Sequence, residues 1–262
     1  MVTRDTAWPP GTPCWADLSA DDVSQARAFY AGLFGWTINE GPPETGGYSM
    51  CEVNGRAVAG IGAKMGPPDA PVAWTTYLAT TEADATAARI TAAGGQLMME
   101  PFDVMDVGRM AIAADPGGAV FGIWQPGSFP GAQLANESGA MVWNENMSRD
   151  LDGNKGFYQA VFGYSYGDIP DAGIRYATLE LDGNIVGGIG ELPADRPAEV
   201  PAHWAVYFAV PDTDAAVAAV TRLGGKVISP AWDSPYGRMA VVSDDQGGVF
   251  SVMTPPQGQD GG

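Results

Sequence analysis

The chain offers few side chains for acid–base or nucleophilic chemistry. His203 is the single histidine among 262 residues, and Cys14 and Cys51 are the only cysteines. No Gly-x-Ser-x-Gly sequence is present, so a Ser–His–Asp triad on a nucleophile elbow is not indicated. Phosphate-binding sequences of the GxGxxG or GxxxxGK[ST] type are absent too. Proton transfer would therefore depend on His203 and on carboxylates.

His203 has two interpretations. It follows Pro201 at the start of a predicted strand and can be an incidental residue there. Beside a carboxylate, the same imidazole would be a general base near neutral pH. The two cysteines lie in one half of the chain without a CxxC spacing, which favours two buried thiols in a reducing compartment over a disulfide.

The elements that must position these residues occur twice. The sequence Phe29–Trp36 (FYAGLFGW) returns 128 positions later as Phe157–Tyr164 (FYQAVFGY). Tyr48–Gly62 matches Tyr176–Gly190 at the same spacing. A period of this length is that of a whole domain, not of a solenoid unit. The chain is therefore predicted to be a tandem duplication.

Each half is predicted to contain two βαβββ modules. In the first module a strand precedes a helix over 22–34, and Gly35 ends that helix. Asn54-Gly55, like Asp182-Gly183 in the second half, predicts a two-residue hairpin. A second helix, over 82–93, is predicted to begin after Thr81. The helices of the second half are predicted over 151–162 and 214–223.

The predicted domains span residues 11–127 and 138–256, each with its own core. The segment 125–139 is rich in proline and glycine and has no apolar periodicity, so it is interpreted as a linker. No apolar run approaches the length of a membrane span, and the first residues lack a signal-peptide pattern. We therefore expect a cytoplasmic location.

The net charge of −18 bears on possible partners. Nucleic acids and anionic lipids require a basic face, so neither is expected as a partner. The acids are dispersed, which is typical of a well-solvated surface; attraction of a cationic ligand is the other interpretation.

With its FYxxxFGW motif after the first helix and DPGG before the last strand, the chain resembles the vicinal oxygen chelate superfamily. That group includes glyoxalases, bleomycin-resistance proteins and extradiol dioxygenases. The start of each half is most similar to tandem actinobacterial members, including the mycobacterial 27 kDa antigen type. The resemblance implies an α+β fold in which four βαβββ modules form two eight-stranded, cupped, mixed β-sheets. It does not fix a function, since one fold carries many.

The resemblance also implies where metal ligands would lie. Enzymes of the superfamily hold a divalent ion with His, Glu or Gln side chains inside the cup. Six matching positions here carry residues that are not ligands for such an ion: Trp15, Thr75 and Gly122 in the first half, and Trp143, Ala205 and Ser251 in the second. We therefore expect no bound metal and no other cofactor.

Strand parity predicts what lines each cup if position 15 points inward. The ligand-binding candidates are Trp15, Asp17, Tyr77 and Trp124 in the first cup, and Trp143, Tyr207, Tyr236 and Ser251 in the second. Glu145 and His203 are the candidates for catalysis. Aromatic walls with a few polar groups are typical of a small-molecule pocket, although the same rings would also suit an ordinary core. Asp17 and Glu145 can equally be solvated strand-end acids.

Arg109 and Arg238 share a Gly-Arg-Met context, and structural pairing with an acid is favoured over a ligand contact. The second cup is predicted to be the working site, because four of its residues have greater reach or hydrogen-bonding capacity than their first-cup counterparts. These pairs are His203 and Ala73, Glu145 and Asp17, Tyr236 and Val107, and Ser251 and Gly122.

The predicted function is metal-independent binding of a planar or aromatic small molecule, as in antibiotic-sequestering relatives. The alternative is an enzyme, either a glyoxalase-like isomerase or lyase or a tailoring protein for an aromatic polyketide. Such an enzyme would use carboxylate or histidine acid–base chemistry. A monomer or a homodimer is expected.

Overall fold

The computed structural model describes residues 2–65, 69–170, 173–197 and 199–256. The first half contains β1 Val2–Thr3, β2 Pro13–Ala20, α1 Val23–Phe34, β3 Thr37–Glu40, β4 Ser49–Val53, β5 Arg56–Ala63, β6 Ala73–Ala79, α2 Ala83–Ala92, β7 Gln96–Val104, β8 Gly108–Ala114 and β9 Val120–Pro126. The second half contains β10 Leu134–Ala135, β11 Met141–Ser148, α3 Leu151–Phe162, β12 Ser165–Asp168, β13 Tyr176–Leu181, β14 Asn184–Glu191, β15 His203–Ala209, α4 Thr213–Arg222, β16 Lys226–Ser234, β17 Gly237–Ser243 and β18 Val249–Thr254.

The longer strands form two eight-stranded mixed sheets of the same topology. The order is β3-β4-β5-β2-β6-β9-β8-β7 in the first sheet and β12-β13-β14-β11-β15-β18-β17-β16 in the second. The leading strands of the two modules, β2 and β6, are antiparallel at the centre of the first sheet, and β11 and β15 repeat this in the second. The predicted fold class and duplication are confirmed.

Local sequence explains how the modules begin and turn. The side chain of Asp22 accepts a hydrogen bond from the Gln25 amide and caps α1, and Gly35 ends that helix in the left-handed conformation. Asn54 and Gly55 both have positive φ, as the predicted hairpin turn requires. Thr81 does not cap α2. The cap position is Glu82, whose amide donates to the Thr80 hydroxyl instead.

The expectation of one core per half is wrong, because each of the two hydrophobic cores takes residues from both halves. Tyr30 on α1 packs against Phe250 on β18, with ring centroids 5.4 Å apart. Phe121 on β9 packs in turn against Tyr158 on α3, at 5.8 Å. The helix-bearing faces of the two sheets therefore bury one another. The domain boundaries 11–127 and 138–256 stay a prediction.

A reciprocal pair of buried hydrogen bonds joins the halves. Tyr30 Oη donates to Asp244 Oδ2 at 2.9 Å, and Tyr158 Oη donates to Asp115 Oδ2 at the same distance. Both tyrosines come from the repeated Phe-Tyr motif, and both acids come from the turn before the last strand of the opposite half. Burial raises the pKa of Asp244. The two repeated motifs thus serve to hold the halves together.

The segment between the halves is more than a linker. Strand β10 lies within it and pairs with β1 at the N-terminus. The Ala132 amide donates to the Cys14 carbonyl, and the Ala132 carbonyl accepts from Trp8 Nε1 at 2.9 Å. We call residues 127–135 the strap, because they are fixed against the first sheet. Across the part of the chain that the structure describes, no helix has the length and apolar character needed to cross a membrane.

Candidate ligand-binding cups

The two faces of each sheet differ in what covers them. On β2, Cys14, Ala16 and Leu18 are buried in the core beneath the helices. Trp15 and Asp17 project from the opposite, concave face, as strand parity predicts. Both cysteines are buried free thiols, as expected. The concave faces are the two cups.

A carboxylate held by two tyrosines lies at the middle of the first cup. Tyr48 Oη and Tyr77 Oη both donate to Asp17 Oδ2, at 3.2 and 3.1 Å. Trp15 Nε1 donates to Tyr48 Oη at 2.9 Å. Oδ1 of Asp17 accepts no hydrogen bond from the described residues. Burial raises the pKa of Asp17 to about 7, although the two tyrosine hydrogen bonds oppose the shift.

The second cup repeats this arrangement with a longer acid. Tyr176 Oη donates to Glu145 Oε2 at 2.6 Å, and Tyr207 Oη donates to Glu145 Oε1 at 2.7 Å. Trp143 Nε1 donates to Tyr176 Oη at 2.9 Å. The extra methylene lets each oxygen accept one tyrosine. Burial and the nearby Glu145 carboxylate raise the pKa values of Tyr176 and Tyr207, so both remain hydroxyl donors.

Glycines on the neighbouring strand make room for this set. A Cβ on Gly60 would lie 1.9 Å from Tyr48 Oη, and one on Gly188 would lie 1.8 Å from Tyr176 Oη. Real side-chain carbons do not approach so closely, so the tyrosines can lie on the sheet only where the strand carries glycine. The repeated Gly-Ile-Gly of β5 and β14 is thereby explained.

The first cup is closed at the end that holds Trp15. Phe129 of the strap packs edge-on against Trp15, with ring centroids 5.0 Å apart, and also against Trp124 at 6.1 Å. Trp124 Nε1 donates to the Phe129 carbonyl. Trp15 is consequently only 4 % exposed.

Among the described residues, the same end of the second cup is less covered. Met253 replaces Trp124 there, and Trp143 is half-buried, with no ring packed on it among the described residues. The opposite end is filled instead. Met147 is buried over Gly190, where the first cup has the smaller, half-buried Ser19 beside a half-exposed Gly62. The two cups are thus obstructed at opposite ends.

The structure brings together eight of the ten predicted site residues, four in each cup. These are Trp15, Asp17, Tyr77 and Trp124, and Trp143, Glu145, Tyr207 and Ser251. His203 lies opposite Met147 in the strand pairing, and its Nδ1 is 2.8 Å from the Pro201 carbonyl; no hydrogen bond to Glu145 forms. Tyr236 lies in the β16–β17 turn and is 55 % exposed. Functional roles for all ten residues stay predictions.

Tyr48 and Tyr176 are the site residues that sequence reasoning missed. Tyr48 precedes β4 and Tyr176 begins β13, so neither lies on the strands whose parity was set by the family's metal positions. The available signal was their position as the first identical residue in the longest repeated block, together with the glycines beneath them.

Arg109 and Arg238 each form ion pairs with acidic side chains, which is the interpretation that the sequence favoured. Arg109 pairs with Asp84 and Asp103, and Arg238 repeats the arrangement with Asp214 and Asp233.

Two surface concavities lie away from the cups. One, of about 210 Å³, is next to Arg109, and the other, of about 540 Å³, lies between α2 and β7. Neither includes a tryptophan, a tyrosine or a cup acid. The hydrogen-bonded sets in the cups are therefore the better candidates for a functional site.

The family model of the Glyoxalase/Bleomycin resistance protein/Dioxygenase superfamily matches residues 14–123 and 146–252. The chain belongs to this superfamily. It is 44% identical over 253 residues to "Putative glyoxylase CFP32" of Mycobacterium bovis and of Mycobacterium tuberculosis, covering 94% of this chain and 95% of the relative. It is 37% identical over 262 residues to "Anthracycline biosynthesis protein DauV" of Streptomyces sp. strain C5, covering 95% and 94%.

Solved structures of the superfamily share the fold at low identity. The Mn(II)-bound glyoxalase from Novosphingobium aromaticivorans has a TM-score of 0.65 and 15% identity, covering 94% of this chain and 82% of that one. The 2,2',3-trihydroxybiphenyl 1,2-dioxygenase from Sphingomonas wittichii RW1 has a TM-score of 0.62 and 15% identity, covering 94% and 91%.

The cups do not suit the metal that the superfamily's enzymes carry. The carboxylate at the middle of each cup, Asp17 or Glu145, already accepts hydrogen bonds from tyrosine hydroxyls. The expected ligand positions hold indole, methyl, hydroxyl or no side chain at all. Throughout the described ranges, no three or more His, Cys, Asp or Glu side chains are grouped so that they could hold a metal ion. The donor set therefore does not fit a metal centre of the superfamily type.

Proposed function

We propose that the chain binds a planar aromatic small molecule in its second cup, without a protein-bound metal. The observation that carries the proposal is the unequal covering of two equivalent tryptophans. Trp15 is sealed by Phe129, whereas Trp143 is half-buried and has no aromatic ring packed on it among the described residues. An indole face in a concave site is a stacking surface for a flat ring.

Further aromatic and sulfur-containing side chains extend this surface. Trp232 on β16 pairs with Met239, which pairs with Met253 on the concave face. Trp232 is 38 % exposed. Thioether sulfur packs favourably on aromatic rings. The concave face of the second sheet therefore carries two indoles, Trp143 and Trp232, and two methionines, Met239 and Met253.

The electrostatics of the cup disfavour an anionic ligand. Within the described residues, Glu145 has no salt bridge to a basic side chain, and the chain carries a net charge of −18. An anionic group on the ligand would be repelled by the Glu145 carboxylate, which has no cationic partner among the described residues, and would also lose its hydration. The ligand is therefore uncharged or cationic. Relatives named for anthracycline biosynthesis support an aromatic ligand, because an anthracycline contains a planar fused-ring system.

Binding is favoured over the acid–base alternative. Both oxygens of Glu145 already accept tyrosine hydroxyls, and His203 is bonded to a backbone carbonyl rather than to that acid. A general base must lie within hydrogen-bond reach of the proton it removes. Glu145 and His203 are not hydrogen-bonded to each other, so they do not form a carboxylate–histidine pair for general base catalysis in the second cup.

Quenching of tryptophan fluorescence by an uncharged hydroxyanthraquinone, titrated in excess EDTA, tests the proposal. We expect saturable binding that weakens at least about fivefold in Trp143→Leu, since a stacked base-sized ring contributes about 1–3 kcal/mol. A sulfonated anthraquinone is expected to bind more weakly than the uncharged probe.

Trp15→Leu is the matched control, because it changes the equivalent residue in the sealed end of the other cup. Its affinity for the probe is expected to equal that of the parent once folding has been verified by circular dichroism. Binding that requires added metal, or that is lost in Trp15→Leu and retained in Trp143→Leu, would contradict the proposal.

A further inference from the structure

We infer that the first cup is a second and separate binding site, which takes a small organic ammonium ion from the end opposite Phe129. The inference does not depend on the aromatic ligand proposed for the second cup. It rests on the geometry around Asp17.

The first cup has an acceptor that the second cup lacks. Both tyrosines of the first cup donate to the same oxygen, Asp17 Oδ2, and Oδ1 accepts nothing from the described residues. In the second cup the longer Glu145 uses one oxygen for each tyrosine, at shorter distances. A half-buried carboxylate oxygen without a donor is costly unless a ligand or solvent supplies one.

Small side chains leave a way to this oxygen. Ser19 lies two residues beyond Asp17 on β2 and pairs with Gly62 on one side and Ala73 on the other. All three are partly exposed. At the equivalent place in the second cup, Met147 lies over Gly190, and His203 replaces Ala73. Among the described residues, the end that large side chains fill in the second cup is therefore lined by small ones in the first.

The chemistry of this end selects a cation. A ligand that enters past Ser19 meets the Tyr48 ring, which lies on Gly60 and Gly62, before it reaches Asp17. No salt bridge neutralises Asp17 among the described residues. An aromatic face next to an unpaired carboxylate binds an ammonium group by cation–π attraction and a charge-assisted hydrogen bond. Ser19 and the sealed Trp15 are four residues apart on the same strand, which limits the ligand to a small one.

Calorimetric titration of the full chain with benzylammonium, at about pH 8.5 where Asp17 is ionised, tests the inference. We expect saturable binding, and no binding of the isosteric benzyl alcohol. Asp17→Asn is expected to weaken binding about 30-fold or more, as loss of one partner of a close charge pair does. Ser19→Met copies the second cup and is expected to block binding without altering Asp17.

Glu145→Gln and Trp143→Leu are the controls for the other cup. Both are expected to leave benzylammonium affinity unchanged, while Ser19→Met leaves the anthraquinone titration unchanged. Absence of benzylammonium binding, or binding that survives either Asp17→Asn or Ser19→Met, would overturn the inference without touching the proposed function. Loss of anthraquinone binding with benzylammonium binding retained would overturn the proposed function and leave the inference about the first cup unaffected.

Discussion

Replacing Asp17 by asparagine should change how the stability of the chain depends on pH. Burial raises the pKa of Asp17 from its ordinary 3.8 to about 7 in the folded protein. The unfolded chain therefore loses this proton near pH 4 and the folded chain only near pH 7. Between these values the folded state binds more protons, so the free energy of unfolding falls as pH rises. Stability that is present below pH 4 is lost by pH 7.

The size of the stability change follows from the number of pH units, counted upward from the assay at about pH 5, over which Asp17 is ionised only in the unfolded chain. Each pH unit is worth about 1.4 kcal/mol, so the two units from pH 5 to 7 correspond to at most about 3 kcal/mol. Solvent reaches the half-buried carboxylate and screens it, so we expect about 2 kcal/mol. An asparagine side chain cannot ionise, and the Asp17→Asn variant should therefore lack this part of the pH dependence.

Urea denaturation of the parent and of Asp17→Asn at about pH 5 and pH 8.5 measures the effect. The stability of the parent relative to the variant is expected to fall by about 2 kcal/mol between the two conditions. Asp195→Asn, at an exposed position, is the matched control and should show no such change. A relative stability that is equal at both pH values, or that rises with pH, would refute the account of Asp17.

Three further outcomes are expected. Gly60→Ala should lower the free energy of unfolding by about 1–3 kcal/mol in urea denaturation, because its Cβ would collide with Tyr48. Gly156→Ala is the control: it has open space around it and should raise the free energy of unfolding by about 0.5–1 kcal/mol. Tyr158→Phe should lower the free energy of unfolding by about 3 kcal/mol, since a buried hydroxyl between the halves is lost. Tyr166→Phe, at a half-buried position, is the control and should lower it by less than about 1.5 kcal/mol. Elemental analysis of tag-free protein should find Zn, Ni and Fe far below one ion per chain, and near-stoichiometric metal would contradict the interpretation of the cups.

Much of the fold follows from local signals that act within a few residues. The cap at Asp22, the left-handed Gly35 and the Asn54-Gly55 turn set the limits of the first module. The repeat transfers them to the first module of the second half, at Asp150, Gly163 and Asp182-Gly183. Alternation along β2 also put Trp15 and Asp17 on one face of the sheet, opposite the buried Ala16 and Leu18. A period of two residues is enough to say which side chains share a face.

The pairing of faces could not be predicted in the same way. Alternation identifies a buried residue without saying which half buries it, so nothing local connected Tyr30 with Asp244. The packing of Phe129 on Trp15 could not be predicted either, because Phe129 lies in an irregular proline-rich segment. The repeat offers no counterpart of Phe129 that would indicate its role. Contacts between distant segments depend on how whole sheets pack, which periodicity does not encode.

A structure of the EDTA-treated protein in complex with the uncharged hydroxyanthraquinone would show directly whether the second cup binds a flat ring without a metal. We expect the ring system in the second cup, stacked on Trp143, with its hydroxyl toward Glu145 and no ion in contact with it. A ring bound against Trp15 instead, or a metal ion bridging the ligand and the protein, would contradict this expectation.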